Sequence, residues 1–385
     1  MSRVEGLRWD SWPDPVDTRL LRSLLHVDPD EARAAWHVFR AEWDPDDPTD
    51  EQFRLFGAIA SRLDRLEVAD DHLRVFAGVR RRTTVHTMIN LDRLDRHLQL
   101  FDSLGIEPVV LKGAALVTTV YDSMGERWFA DIDLLVAPAE WERVASTYRQ
   151  QGWSPVHDDF GGNHGVNLRR GDEVLDLHRL AHSEMVLPGR IEETMAVLDT
   201  TVASRPLPSG RQIRVLCPAD ALLHTLVHGT QRLHPLNLRW TVDADRIITR
   251  SDVDWSRLVD LARTFRLSPL IHDALEFLGT LTGRPTEQWV LDRLAFDRLS
   301  WLENRRLDAF HQWPAEGRLV GRARINASWA LWQTRSLTIG RLIRAFPGAM
   351  ARNSGAESIW RLPGVILRRL GEVRRSRRST RHADR

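Results

Sequence analysis

The stretch V-V-L-K-G-A-A-L-V-T-T-V-Y-D-S-M-G-E-R-W-F-A-D-I-D-L-L-V, residues 109 to 136, decides how the rest of the chain is read. Val109 to Leu111 have the length and apolarity of a short buried strand that stops at Gly113, and a helical pattern follows from Ala114. Asp131 to Val136 read as a second strand, opened by two acids. Side chains alternate faces along a strand, so Asp131 and Asp133 project to the same side. Two carboxylates held that close repel, and a divalent cation between them relieves the repulsion; hard oxygen ligands point to Mg²⁺, or Mn²⁺ in its place. A D-x-D alone also occurs in turns and caps. Here the acids run directly into an apolar strand, where an unpaired carboxylate pair is expensive.

Working outward, PAEWERVASTYRQQGW at 138 to 153 reads as a helix with Pro138 in its first turn. HGVNLRRG at 164 to 171 and EVLDLHRL at 173 to 180 read as two further strands. Asp176 alternates with Leu175 and Leu177, so Asp176 and His178 share a face. If these strands neighbour one another, Asp131, Asp133 and Asp176 converge. Converging carboxylates suit phosphoryl or nucleotidyl transfer, in which metal ions clamp the attacking and leaving oxygens of an in-line displacement. Asp131 and Asp133 then bridge the metals, and Asp176 binds the one that activates the acceptor hydroxyl and is a candidate to take its proton.

Lys112, Gly113 and Ala114 form the turn between strand and helix. Glycine lets a backbone approach a phosphate closely, and the N–H groups at a helix start favour anions, which is the make-up of a triphosphate cradle. Lys112 is the only lysine among 54 basic residues. A lysine kept against such an arginine preference suits a need for a compact ammonium, as at a phosphate; chance placement is the plain alternative. Arg127 is a second candidate for the triphosphate. His178 either orients Asp176, touches the acceptor or is structural, and His164, on the glycine-rich GGNHGV turn, is placed to cover the site. His224 and His228, four apart on one helical face, have a metal-binding spacing, although packing explains them as simply.

The flanking sequence is helical. Apolar spacing of three and four recurs in TRLLRSLL, EARAAWHVFRAEW, EQFRLFGAIASRLDRL and TVHTMINLDRLDRHLQLFDSLG, between residues 18 and 105. DPDDPTD at 44 to 50 interrupts this run, with Pro45 as the stop and Thr49 or Asp50 as the next N-cap. Helical patterns return after Pro218. The expected fold class is α+β: a small mixed-sheet α/β core over 105–205, an N-terminal helical bundle over 1–104, a C-terminal helical domain over 206–315, and a helix with a partly disordered basic tail over 316–385.

Composition sets the outer limits. A chain of 385 residues can hold two or three domains, and its 42% hydrophobic and 28% charged content is that of a globular protein. No run of about 18 apolar residues is present, and MSRVEGLRWDSWPDPVD lacks the pattern of a secretory signal, so a cytoplasmic location is expected. The single cysteine, Cys217, excludes an intrachain disulfide or a thiolate metal cluster. Net charge is +1, but residues 361 to 385 carry nine arginines against Glu372 and Asp384, a local +7 on a body of −6. A solvated terminus explains this; contact with nucleic acid or an anionic membrane is the functional alternative.

Leu111-Lys112-Gly113, the run from Arg127 through Asp131 and Asp133 to Val136, and Asp176-Leu177-His178 together resemble the uncharacterised nucleotidyltransferases of the DNA polymerase beta superfamily. The resemblance continues through PADALLHTLVHG, LRWTVDADRII and VDWSRLVDLARTF, covering residues 85 to 285 or so. It implies a small nucleotidyltransferase sheet flanked by helices, a metal triad at Asp131, Asp133 and Asp176, and a nucleoside triphosphate such as ATP as donor. It leaves the acceptor open among a small molecule, an RNA and a protein. Lys112-Gly113-Ala114 departs from the Gly-Ser or Gly-Gly turn usual in the superfamily, so Ala114 offers a backbone N–H where a serine would offer a hydroxyl. The alternatives are a non-catalytic nucleotide-binding protein that keeps the fold, and a toxin-like transferase acting on tRNA.

Overall fold

The computed structural model describes residues 13–44, 47–156, 165–187, 193–230, 237–295 and 360. Four helices open the chain: α1 (Pro15–Leu25), α2 (Pro29–Glu42), α3 (Asp50–Leu66) and α4 (Leu73–Ser103). Their starts are set by capping side chains. Asp14 accepts from the Asp17 amide and Asp28 from the Asp30 amide, each just before a proline in the first turn. Thr49 and Gln52 close a reciprocal capping box on α3. Thr49 is thus the N-cap, while Pro45 lies outside the described residues. α4 starts at Leu73, earlier than its apolar spacing suggests, because Gly78 and the arginines at 80 to 82 mask the pattern. Its buried stripe includes Thr87 and Asn90, which donate to the carbonyls of Met124 (3.2 Å) and Phe129 (2.9 Å). Those bonds hold the segment that delivers Asp131.

The sheet contains β1 (Val109–Val110), β2 (Ile132–Leu135), β3 (Ser154–Pro155), β4 (Gly165–Arg170), β5 (Glu173–His178), β6 (Thr200–Val202) and β7 (Arg214–Leu216). Their order is β3-β4-β5-β2-β1-β7-β6. β2 runs parallel to β5 and antiparallel to β1, and β1 is parallel to β7, which makes the sheet mixed. The expected α+β class holds. β6 and β7 are strands that apolar patterning did not announce, and β7 extends the sheet beyond residue 205 by pairing Val215 with Val110.

Alternation along the strands sorts residues between two cores. Val110, Ile132, Leu134, Leu175 and Leu177 pack with Leu91, Leu94, Leu98 and Phe101 of α4, and with Val144 and Tyr148 of α6 (Trp141–Gln150). The opposite face carries Asp133, Asp176 and His178, while Leu135 and Leu216 join the helical core. α5 (Lys112–Thr119) follows β1 directly. The later helices are α7 (Pro218–Gly229), α8 (Arg239–Arg250), α9 (Trp255–Thr264), α10 (Ser268–Thr282) and α11 (Gln288–Ala295). Leu222, Leu223, Leu226 and Val227 of α7 are fully buried in that helical core. Among the described residues no helix is long and apolar enough to cross a membrane.

Candidate active site

Parallel pairing of β2 with β5 sets Asp133 opposite Asp176 and Leu135 opposite His178. Two acids in register on adjacent strands project from the same face, as the strand alternation requires. Both are buried, at 2% and 9% exposure, and His178 is at 2%. Such a group persists only if charge is offset locally. His178 Nε2 lies 3.0 Å from Asp133 Oδ1 and 2.9 Å from Asp176 Oδ2. Lys112 Nζ donates to Asp133 Oδ1 and stands 3.5 Å from both Asp176 Oδ2 and His178 Nε2.

Lys112 reaches the acids from an uncommon backbone conformation. Its φ is +48°, in the left-handed region, at the first residue of α5. That costs a residue with a Cβ about 1–2 kcal/mol. The cost is offset where the ammonium meets two buried carboxylates. Burial opposes the lysine charge, but Asp133, Asp176 and Asp131 outweigh it and hold the ammonium above its usual pKa. The same competition acts on His178: burial disfavours the imidazolium, the Asp176 charge and hydrogen bonds to both acids favour it, and its pKa rises to about 9. Asp131 precedes β2, and its carboxyl is pushed up first by the charge of Asp133 and then by burial.

Donor atoms of Asp133, Asp176 and His178 lie within 4.8 Å of one another, close enough to hold one metal ion. Two hard carboxylates and an imidazole fit Mn²⁺ well and Mg²⁺ through the oxygens. The compact group therefore has His178 where the sequence pattern put Asp131, which stands at its edge. An ion entering here takes over the neutralising role that Lys112 fills in the structure.

Asp131 and Asp133 line a cavity of about 140 Å³ to which β1, α5, β7, α7 and α8 also contribute. Lys112 and Gly113 line it beside these acids, and so do His224, His228, Arg239 and Trp240. Gly113 is required by packing, since a Cβ there would sit 2.4 Å from Cβ of Phe129. The Ala114 methyl faces the core beneath the sheet. Arg127 also lines the cavity, yet both ends of its guanidinium are committed: Nε and Nη2 donate to Asp243 at 2.8 and 2.9 Å. The Tyr121 hydroxyl donates to the same carboxylate at 2.6 Å.

His224 and His228 are joined by His182, with ring centroids 5.9 to 6.2 Å apart. His224 Nε2 is 3.0 Å from the Ala181 carbonyl, and burial, followed by the charges of Lys112 and His178, lowers its pKa to about 3. It is a neutral packing residue, the simpler of its two sequence readings. His164 lies outside the described residues. Tyr121, Asp243, Arg239 and His182 escaped the sequence reading. Asp243 and Arg239 sit in the LRWTVDADRII segment, whose two acids on a helix were the available signal.

A family model described as uncharacterised nucleotidyltransferase matches residues 49–283. The chain belongs to that nucleotidyltransferase family, and so is an enzyme of the transferase class. No curated protein matches it. Two solved structures are similar. One is the solution structure of the antibiotic-resistance factor ANT(2'')-Ia, 14% identical with a TM-score of 0.31, covering 50% of this chain and 95% of that one. The other is a nucleotidyltransferase-like antigenic protein from Paracoccidioides brasiliensis, 14% identical with a TM-score of 0.33, covering 56% and 96%.

Proposed function

We propose that the enzyme moves a nucleoside monophosphate from a nucleoside triphosphate to a hydroxyl acceptor, using divalent metal held by Asp133, Asp176 and Asp131, with His178 beside them. The observation that carries this reading is the register of Asp133 with Asp176 on adjacent strands, beside a cavity that Asp133 lines. When bound, Mg²⁺ or Mn²⁺ supplies charge to the phosphate oxygens and lowers the pKa of the acceptor hydroxyl. The acceptor oxygen forms a bond to the α-phosphorus as the bond from that phosphorus to the β-phosphate oxygen breaks, and pyrophosphate leaves. Asp176 is placed to receive the hydroxyl proton. His178 holds Asp176 and Asp133 in position through its contacts at 2.9 and 3.0 Å. The turn at Lys112, Gly113 and Ala114, together with Arg127, is the part of the site that meets the triphosphate.

A second reading has one observation in its favour. Lys112 already neutralises Asp133 and Asp176, so a non-catalytic nucleotide-binding protein would need no metal there. Transfer of label from α-³²P nucleoside triphosphates in the presence of Mg²⁺ or Mn²⁺ and cell extract separates the two. Transfer abolished in D131N and D133N, with circular dichroism unchanged, supports the enzyme; nucleotide binding without transfer by the wild type supports the other. The tRNA-directed variant, and contact with nucleic acid or anionic lipid, rest on residues 361–385, outside the described residues.

A further inference from the structure

We propose that Arg239, at the start of α8, is the main cation for the phosphate chain of the donor, a role that the sequence reading gave to Lys112, for its rarity and its place at the Gly113 turn, and to Arg127; the inference rests on the transfer reading above. Among the described residues, the lysine and arginine side chains lining the cavity are Lys112, Arg127 and Arg239. The first is paired with Asp133 and Asp176, and the second is held two-pronged by Asp243.

Arg239 is differently placed. One of its terminal nitrogens donates to the Trp128 carbonyl at 3.1 Å, while its Nε is buried with no hydrogen-bond partner. Its nearest carboxylate, Glu51, is 3.5 Å away and already accepts from Arg54 at 2.6 Å and from the Leu238 amide at 3.2 Å. The side chain is 16% exposed, so solvent does little to compensate it. Burial, and then the charge of Arg127, lower its pKa to about 10, as expected of a cation short of counter-charge.

An incompletely neutralised guanidinium in a cavity wall is costly to keep unless an anion comes to it. Its planar fork of N–H donors matches a phosphate, and charge-assisted bonds of that kind are the strong ones. The same cavity is lined by Asp131 and Asp133, so a phosphate bound by Arg239 shares it with the acids assigned to the metal. Phosphate on the donor and phosphate on an acceptor share this chemistry; the donor is favoured because its phosphates are the ones that the metal must also meet.

Isothermal titration of the full chain with Mg²⁺, using inorganic triphosphate and a non-hydrolysable nucleoside triphosphate, tests the assignment. R239Q is expected to weaken both ligands about tenfold or more and by the same factor, with R239K intermediate. E51Q leaves Arg239 in place and removes its shared counter-charge, so it is expected to tighten both ligands severalfold even if R239Q folds poorly. Wild-type affinities in R239Q and in E51Q overturn the assignment, as does a loss confined to the nucleoside triphosphate or one confined to a phosphorylated acceptor. A wild-type chain that binds neither ligand sinks the transfer reading itself, a distinct outcome.

Discussion

Lys112 was conspicuous in the sequence as a single lysine among arginines, and the structure sets it beside Asp133 and Asp176. Its partners were not legible, because the direction of its side chain is set by a φ of +48° that neither composition nor spacing encodes. Lys112 offsets two buried acids, so K112M leaves them facing His178 alone. The expected loss is about 3–5 kcal/mol in denaturant unfolding without metal, shrinking when saturating Mg²⁺ or Mn²⁺ replaces the ammonium. An equal loss with and without metal would mean that no ion binds there. His178 adds a pH dependence. Its folded pKa of about 9 lies above the ordinary 6.5, so the stabilisation is complete below pH 6.5 and fades as pH rises through 9. The size is on the order of 3 kcal/mol. Urea midpoints of the metal-free protein between pH 6 and 10 should show this fall, and H178Q should flatten it.

At the level of single elements, period-two alternation was enough to put Asp133, Asp176 and His178 on one face. The register between β2 and β5 then follows from burying Leu134, Leu175 and Leu177 on the other. β6 and β7 were not legible because a strand of three residues carries too few positions for any period. Gly113 was legible as a turn residue, but the reason no larger residue fits is Phe129, sixteen positions later. G113A is expected to cost about 1–3 kcal/mol in thermal or denaturant unfolding, because Cβ of Phe129 is part of a packed core and cannot retreat. An unshifted midpoint would show that β2 and α5 separate more easily than their packing indicates.

Across the whole molecule, the helices and the sheet are tied by contacts between residues far apart in sequence, which no local pattern reveals. Arg127 and Asp243 stand 116 positions apart and meet in a buried pair that Tyr121 completes. D243N strips the guanidinium of its charge partner, and the expected cost is about 3–5 kcal/mol, against about 1 kcal/mol for Y121F. Equal effects in the two variants would contradict the pair as the dominant link. The same distance explains why Arg127 looked available for a triphosphate: its partner arrives only with α8. Arg239 of α8 reaches the Trp128 carbonyl and, with Leu238, meets Glu51 of α3, so elements far apart in sequence meet at the edge of the cavity that Asp133 and Arg239 line. The central claim is that these parts perform nucleotidyl transfer. The most direct measurement is pyrophosphate release by the purified full chain given the four ribonucleoside triphosphates, Mg²⁺ or Mn²⁺, and cell extract. The expected result is release that requires the metal and is lost in D133N and D176N; release that persists in both variants, or none from a wild-type chain that binds the nucleotide, would contradict nucleotidyl transfer by these acids.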